Sequence, residues 1–187
     1  LVGTSVTATT LNITGGDGPD SLYGGQKNDT IEGGTGADSI NGNEGADNLS
    51  GGAGNDTFLV DAISDHYSSA LGADTIDGGA GTDTITFTEA TALTLSAPEM
   101  EALVGIEILD AANTIDNDQT TITLGNGFFT SNGSASITID GNDADDAAAD
   151  HYIDLSAVSN GAVVFYPNNV ATDANDTLLG GSGNDTW

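Results

Sequence analysis

The chain reads as all-β, a parallel β-roll (a flattened solenoid) carrying an inserted β-rich segment without repeats and one short helix. Three observations lead there. Glycine, aspartate and an apolar residue recur every nine positions from Gly15 onward. Among 187 residues, 29 Asp and Glu stand against 1 Lys or Arg, a formal net charge of −28, with 27 Gly and no Cys. After Phe87 the repeat gives way to short alternating apolar runs separated by turn-forming dipeptides.

The charge balance narrows the function first. A lone cation, Lys27, cannot neutralise phosphates, so nucleic acid and anionic membrane surfaces are excluded as direct partners. Like charge at this density opposes compaction, so the fold calls for added cations. The absence of Cys removes disulfides and thiolate sites and leaves an oxygen-rich ligand set, which suits a hard cation; Ca2+ is the expected cofactor. No run approaches the roughly 20 apolar residues that cross a bilayer. The start, Leu1-Val2-Gly3, has no initiator Met or positively charged signal region, and the end, Gly180 to Trp187, stops one residue short of a repeat. The sequence therefore reads as a piece of a longer chain.

From Gly15 the blocks are GGDGPDSLY, GGQKNDTIE, GGTGADSIN, GNEGADNLS and GGAGNDTFL. They place Asp20, Asp29, Asp38, Asp47 and Asp56 sixth and Leu22, Ile31, Ile40, Leu49 and Phe58 eighth. From Val60 to Leu71 the glycines vanish while the count holds, with Asp65 and Asp74 sixth and Tyr67 and Ile76 eighth. GGAGTDTIT (78–86) restores the pattern with Asp83 and Ile85. A flexible Gly-rich linker has no reason to keep an apolar residue every ninth position. Asp176 and Asp185 recur nine apart with Leu178 and Trp187, but the 93 residues from Asp83 to Asp176 are ten nonamers plus three, so the intervening stretch is an insert. The expected divisions are a leading strand or cap (1–14), the roll (15–86), the insert (87–170) and a restart of the repeats (171–187).

At these residues the sequence resembles the RTX family, the hemolysin-type calcium-binding nonapeptide repeats G-G-x-G-x-D-x-U-x. Six residues make a turn, helped by glycine, and three make a short strand, so two blocks complete a coil. Stacked coils lie about 4.8 Å apart as parallel strands, which sets turn n beside turn n+2. Carbonyls and carboxylates of the two turns can surround calcium there, and the eighth residues point into a thin core. The candidate ligands are Gly15, Asp17, Asp20, Gly24, Gln26, Asp29, Gly33, Thr35, Asp38, Gly42, Glu44 and Asp47. Further along they are Gly51, Ala53, Asp56, Asp74, Gly78, Ala80, Asp83, Asp176 and Asp185. The best-supported sites join the turns of Asp20 and Asp38, Asp29 and Asp47, and Asp38 and Asp56. A site between the turns of Asp56 and Asp74 is a further expectation. Sites needing Asp65 are disfavoured by Val60, Asp61 and Ile63, which stand where glycine belongs. Lys27 in place of the fourth glycine and Asn43 in place of the second predict weaker sites at those turns.

In the insert, strands are expected at 84–88, 92–95, 106–109, 120–124, 136–140, 152–155 and 162–165, joined by Gly125-Asn126-Gly127, Asn132-Gly133 and Asn160-Gly161. Ser96-Ala97-Pro98-Glu99 has capping-box spacing and Met100, Leu103 and Val104 an apolar face, which together predict the short helix. Val104 to Asp110 and Ile153 to Ala157 are similar to segments between repeat blocks of large RTX surface-layer and adhesin proteins, which implies a continued solenoid or a stacked sandwich. Low aromatic content, 5%, favours the solenoid.

Other chemistry finds little support. His66 and His151 read as surface histidines rather than a transition-metal pair, because neither has a second His or Cys at ligand spacing. The acidic run from Asp140 to Asp154 is either a solvated loop or an extra calcium site; it lacks the glycine and twelfth-place glutamate of an EF-hand. There is no G-x-S-x-G elbow and no poised acid-base set, so no enzymatic activity is expected. The resemblance implies a secreted, calcium-folded structural module of a Gram-negative surface-layer or adhesin protein, exported unfolded by type I secretion and able to meet copies of itself in an oligomer or lattice. The alternatives are an accessory module of a secreted protease or polysaccharide epimerase, or a carbohydrate- or ice-binding module.

Overall fold

A computed structural model describes residues 9–60, 74–87, 94–95, 103–110, 121–125, 136–140, 152–157, 162–166 and 177–182. The described residues form strands and no helix. Each intact pair of nonamers yields one long and one short strand: β1 (Asn12–Asp17) and β2 (Ser21–Tyr23), β3 (Thr30–Thr35) and β4 (Ser39–Asn41), β5 (Asn48–Ala53) and β6 (Thr57–Val60), then β7 (Thr75–Ala80) and β8 (Thr84–Phe87). Beyond the repeats lie β9 (Thr94–Leu95), β10 (Leu103–Val104), β11 (Ile108–Asp110), β12 (Thr121–Gly125), β13 (Ser136–Asp140), β14 (Tyr152–Ala157), β15 (Ala162–Tyr166) and β16 (Thr177–Leu179).

Every ladder is parallel. One sheet runs β1-β3-β5-β7-β10, a second β2-β4-β6-β8-β11-β13-β15, and a third β9-β12-β14-β16. The expected roll is therefore present, and among the described residues of the insert the strands also pair in parallel. The second sheet crosses from the last full repeat into the insert with Ile108 beside Thr84 and Thr138 beside Ile108.

Alternation fixes which side chains point inward, because successive residues of a strand face opposite sides. Ile31, Leu49, Ile76 and Leu103 line up across the first sheet. Leu22, Ile40, Phe58, Ile85, Leu109 and Ile139 do so across the second. All ten are buried, as are Val60, Phe87 and Ile106. Each such side chain stabilises the closed form by about 1.5–3 kcal/mol. Their outward neighbours are small and polar, as at Thr30, Asn48 and Thr75.

Two expectations are corrected here. The helix over 96–104 is not what Leu103 and Val104 form: they are β10, hydrogen-bonded in register with Ile76 and Asp77. The open edge of β7 offers these residues a ladder, and tertiary pairing outweighs a short run of helical spacing. Residues 96–102 lie outside the described residues, as do His66, His151 and most of the acidic run, 141–151.

The second correction concerns register. Coils advance by 18 residues from Thr30 to Asn48, but by 27 from Asn48 to Thr75 and from Thr57 to Thr84. β5 pairs directly with β7, so the ladder passes over the glycine-free block. Without glycines that block cannot supply the positive φ angles its neighbours use. Skipping one nonamer rather than two moves each later aspartate to the opposite edge.

Candidate metal centre

Two edges connect the sheets, each carrying a row of aspartates. On the edge leading from the first sheet to the second stand Asp20, Asp38, Asp56 and Asp83; on the return edge stand Asp29, Asp47 and Asp74. Each row is tied by one repeated hydrogen bond, in which a main-chain N–H donates to a carboxylate of the next coil. Asp20 N donates to Asp38 Oδ1 at 2.8 Å, Asp38 N to Asp56 Oδ1 at 2.8 Å and Asp56 N to Asp83 Oδ1 at 2.8 Å. On the return edge Leu11 N donates to Asp29 Oδ1, Asp29 N to Asp47 Oδ1 and Asp47 N to Asp74 Oδ1, each at 2.7 Å.

The expected pairings of Asp20 with Asp38, Asp29 with Asp47 and Asp38 with Asp56 are thus neighbours in space. The expected pairing of Asp56 with Asp74 is not: Asp83 takes the place beside Asp56, and Asp74 lies beside Asp47. The register skip is the cause. Asp65, Asp176 and Asp185 lie outside the described residues.

Six of these seven aspartates are buried, Asp38 and Asp47 at 2% exposure, Asp56 at 1% and Asp83 at 0%, and Asp20 is half-buried. Their Oδ1 atoms are used by the ladder; the Oδ2 atoms of Asp38, Asp47, Asp56 and Asp83 have no hydrogen-bond partner. A buried charge without a partner costs several kcal/mol, which is more than one inward aliphatic returns. Burial accordingly pushes the Asp47 carboxyl up from the ordinary 3.8 to about 7, with Asp74 and Asp29 adding to the rise and the Asp29 amide opposing it. Burial likewise raises Asp83 to about 6 and raises Asp56, in each case against the pull of one amide hydrogen bond.

What faces these oxygens is main-chain carbonyl. A Cβ on Gly33 would sit 2.6 Å from the Gly51 carbonyl oxygen and against Asp38 Oδ2. At Gly51 the same point is flanked by Asp56 Oδ2 and, at 2.6 Å, the Gly78 carbonyl. First-position glycine thus leaves open a space bounded by a carboxylate oxygen of its own turn and a carbonyl of the next coil. Among the described residues no three His, Asp or Glu side chains converge on one point, so a cation here draws on carbonyls to fill a shell of 6–8 oxygens, as calcium does. The donor set fits calcium: all oxygen, anionic, and with lone pairs otherwise idle.

The third-position residues behave differently. Asp17 and Thr35 are exposed and bonded to each other, Thr35 Oγ1 donating to Asp17 Oδ1 at 3.0 Å; Gln26 donates to Glu44 Oε1 at 3.3 Å. The Thr35, Ala53 and Ala80 carbonyls accept from Gly18, Gly36 and Gly54 of the preceding coil. The Asp17, Thr35, Gln26 and Glu44 side chains therefore fasten the outer rim, while the Thr35, Ala53 and Ala80 carbonyls serve the turn ladder.

The two irregular turns differ visibly. Asn43 adopts φ 62, which asparagine tolerates better than most residues, and its Nδ2 donates to the Gly24 carbonyl at 2.9 Å. Asp29 has both oxygens occupied, since Gly25 N donates to its Oδ2 at 2.6 Å. The turn containing Lys27 is thus satisfied internally where its neighbours are not. Glu107, absent from the sequence-based candidates, holds the rung after Asp83 and accepts from Asp83 N at 2.9 Å. The signal was present: Gly105-Ile106-Glu107-Ile108-Leu109 repeats the spacing of Gly81-Thr82-Asp83-Thr84-Ile85 with an acid of the other length.

Stacked coils whose edges carry buried, partnerless carboxylate oxygens beside carbonyls define a parallel β-roll whose turns offer oxygen donors suited to a cation. A family model described as the RTX calcium-binding nonapeptide repeat matches the chain in four copies, at residues 12–26, 23–58, 64–88 and 170–186. These stretches carry the RTX repeat, a nonapeptide described as calcium-binding. No curated protein matches the chain.

Proposed function

We propose that this chain is a structural module of a large secreted bacterial cell-surface protein, of surface-layer or adhesin type, that folds when it meets extracellular calcium. The observation that carries the reading is four buried Oδ2 atoms without partners, those of Asp38, Asp56 and Asp83 on one edge and that of Asp47 on the other. Calcium bound there supplies positive charge and coordination to those oxygens. The aspartates hold the coils in register through Oδ1 while presenting Oδ2 to the edge. The glycine carbonyls converge on the same points, and the inward aliphatics exclude water between the sheets.

Extracellular modules bind calcium at about 0.1–1 mM, far above cytosolic levels. The same polyanion therefore stays open inside a cell and closes outside it, which suits export of an unfolded chain and agrees with the secreted setting typical of RTX repeats. The reading gives the chain no catalytic role. The described aspartates serve the ladder and the cation edge, and self-association through cations bridging acidic faces is part of the proposal.

Far-UV circular dichroism during a calcium titration tests it. The expected result is a disordered spectrum in chelator and a cooperative gain of β signal near about 0.1–1 mM calcium. A full β spectrum in chelator overturns it.

A further inference from the structure

The first aspartate row does not end at the last nonapeptide. Asp83 N donates to Glu107 Oε2 at 2.9 Å, as Asp56 N donates to Asp83 Oδ1 at 2.8 Å. Ile108 N donates to the Asp83 carbonyl at 3.0 Å, as Thr84 N does to that of Asp56 at 2.9 Å. Ile108 and Leu109 sit in register with Thr84 and Ile85. Glu107 thus occupies an aspartate rung although it lies 24 residues after Asp83 and outside every matched stretch.

The surroundings repeat those of the earlier rungs. A Cβ on Gly78 would meet the Gly105 carbonyl and lie 2.6 Å from Asp83 Oδ2. This is the arrangement that Gly33, Gly51 and Asp38 make two coils earlier. Asp83 Oδ2 is without a partner, in a residue of 0% exposure. Between ladder partners the chain takes five steps from Leu103 to Ile108 where it takes eight from Ile76 to Thr84, so this turn is three residues shorter. Glutamate, one methylene longer than aspartate, spans the difference.

Resting on the calcium reading above, we propose that Asp83, the Gly105 carbonyl and Glu107 form a further divalent-cation site that closes this edge, built partly from residues no nonapeptide supplies. Its donors are all oxygen, which selects calcium over softer metals. Hydrogen bonding to Asp83 N alone would leave Asp83 Oδ2 buried and idle, whereas a cation between the two coils engages it.

Glu107→Gln keeps an oxygen acceptor for Asp83 N and removes the charge. In native mass spectrometry and calorimetric titration of the whole chain, it is expected to take up one calcium ion fewer than the native protein, with the other affinities unchanged. Glu32→Gln, on the exposed face of β3, is expected to lose none. If Glu107→Gln binds as many ions as the native chain with equal affinity, the site is overturned while calcium binding by the roll stands; a native chain that takes up no calcium overturns both. Should the variant fail to fold, calcium anomalous scattering from crystals of the native chain decides: a peak between Asp83 Oδ2 and the Gly105 carbonyl supports the site, and peaks at the earlier rungs without one here refute it.

Discussion

At Asp56 the two carboxylate oxygens have separate duties: Oδ1 accepts the Asp38 amide, and Oδ2 faces the same point as the Gly78 carbonyl with no donor of its own. Asp56→Asn separates them. The amide oxygen keeps the ladder bond, and the amide nitrogen is a donor where the carboxylate had only acceptors. In chelator the variant is expected to retain more β signal than the native chain, because a buried charge is gone. In calcium it is expected to be less stable, with affinity at that turn lower by on the order of tenfold as one ligand charge is lost. Circular dichroism in chelator and denaturation curves in calcium check the crossover. A variant weaker in both would mean that the carboxylate serves the fold alone.

On the scale of the rows, protons bind the same oxygens that the proposed calcium ions engage. Burial raises Asp47 to about 7 and Asp83 to about 6 from an ordinary 3.8. The folded chain therefore holds more protons than the unfolded one between these limits, so metal-free stability is fullest below about 3.8 and is lost as pH rises through about 6 to 7. Calcium-free protein is expected to show more β signal at about pH 5, above the isoelectric point of about 4.1, than at about pH 8; calcium is expected to abolish the difference. Circular dichroism at the two pH values measures it. Much of this layout was legible beforehand, because nine-residue spacing names the turn aspartates and the inward residues together. β13 was readable to the residue from alternation alone. Three features were not. The edge to which Asp74 belongs depends on whether a block joins the ladder, which a count of nine cannot show; only the missing glycines hinted at it. β10 was masked by apolar spacing that suits a helix turn as well as a strand. Glu107 was hidden because its rung comes after 24 residues, not 18.

For the molecule as a whole, the net charge is −28, and the described coils set aspartates one above another along each edge. Rungs about 4.8 Å apart lie inside the Debye length of about 8 Å at physiological ionic strength, so dissolved monovalent salt cannot separate them electrically. Small-angle scattering is expected to show a chain near the unfolded radius of gyration of about 46 Å in about 0.15 M KCl with chelator. Millimolar calcium is expected to contract it toward the compact-domain value of about 16 Å. Contraction by KCl alone would mean that general screening suffices. Within the roll, pairing joins residues only 18 or 27 positions apart. Assembly can therefore proceed like a zipper: one closed coil lays out the amide and carbonyl template for the next, and growth needs no distant part of the sequence to have arrived. Two successive coils are enough to form a first rung, and every later coil adds to an edge already laid out.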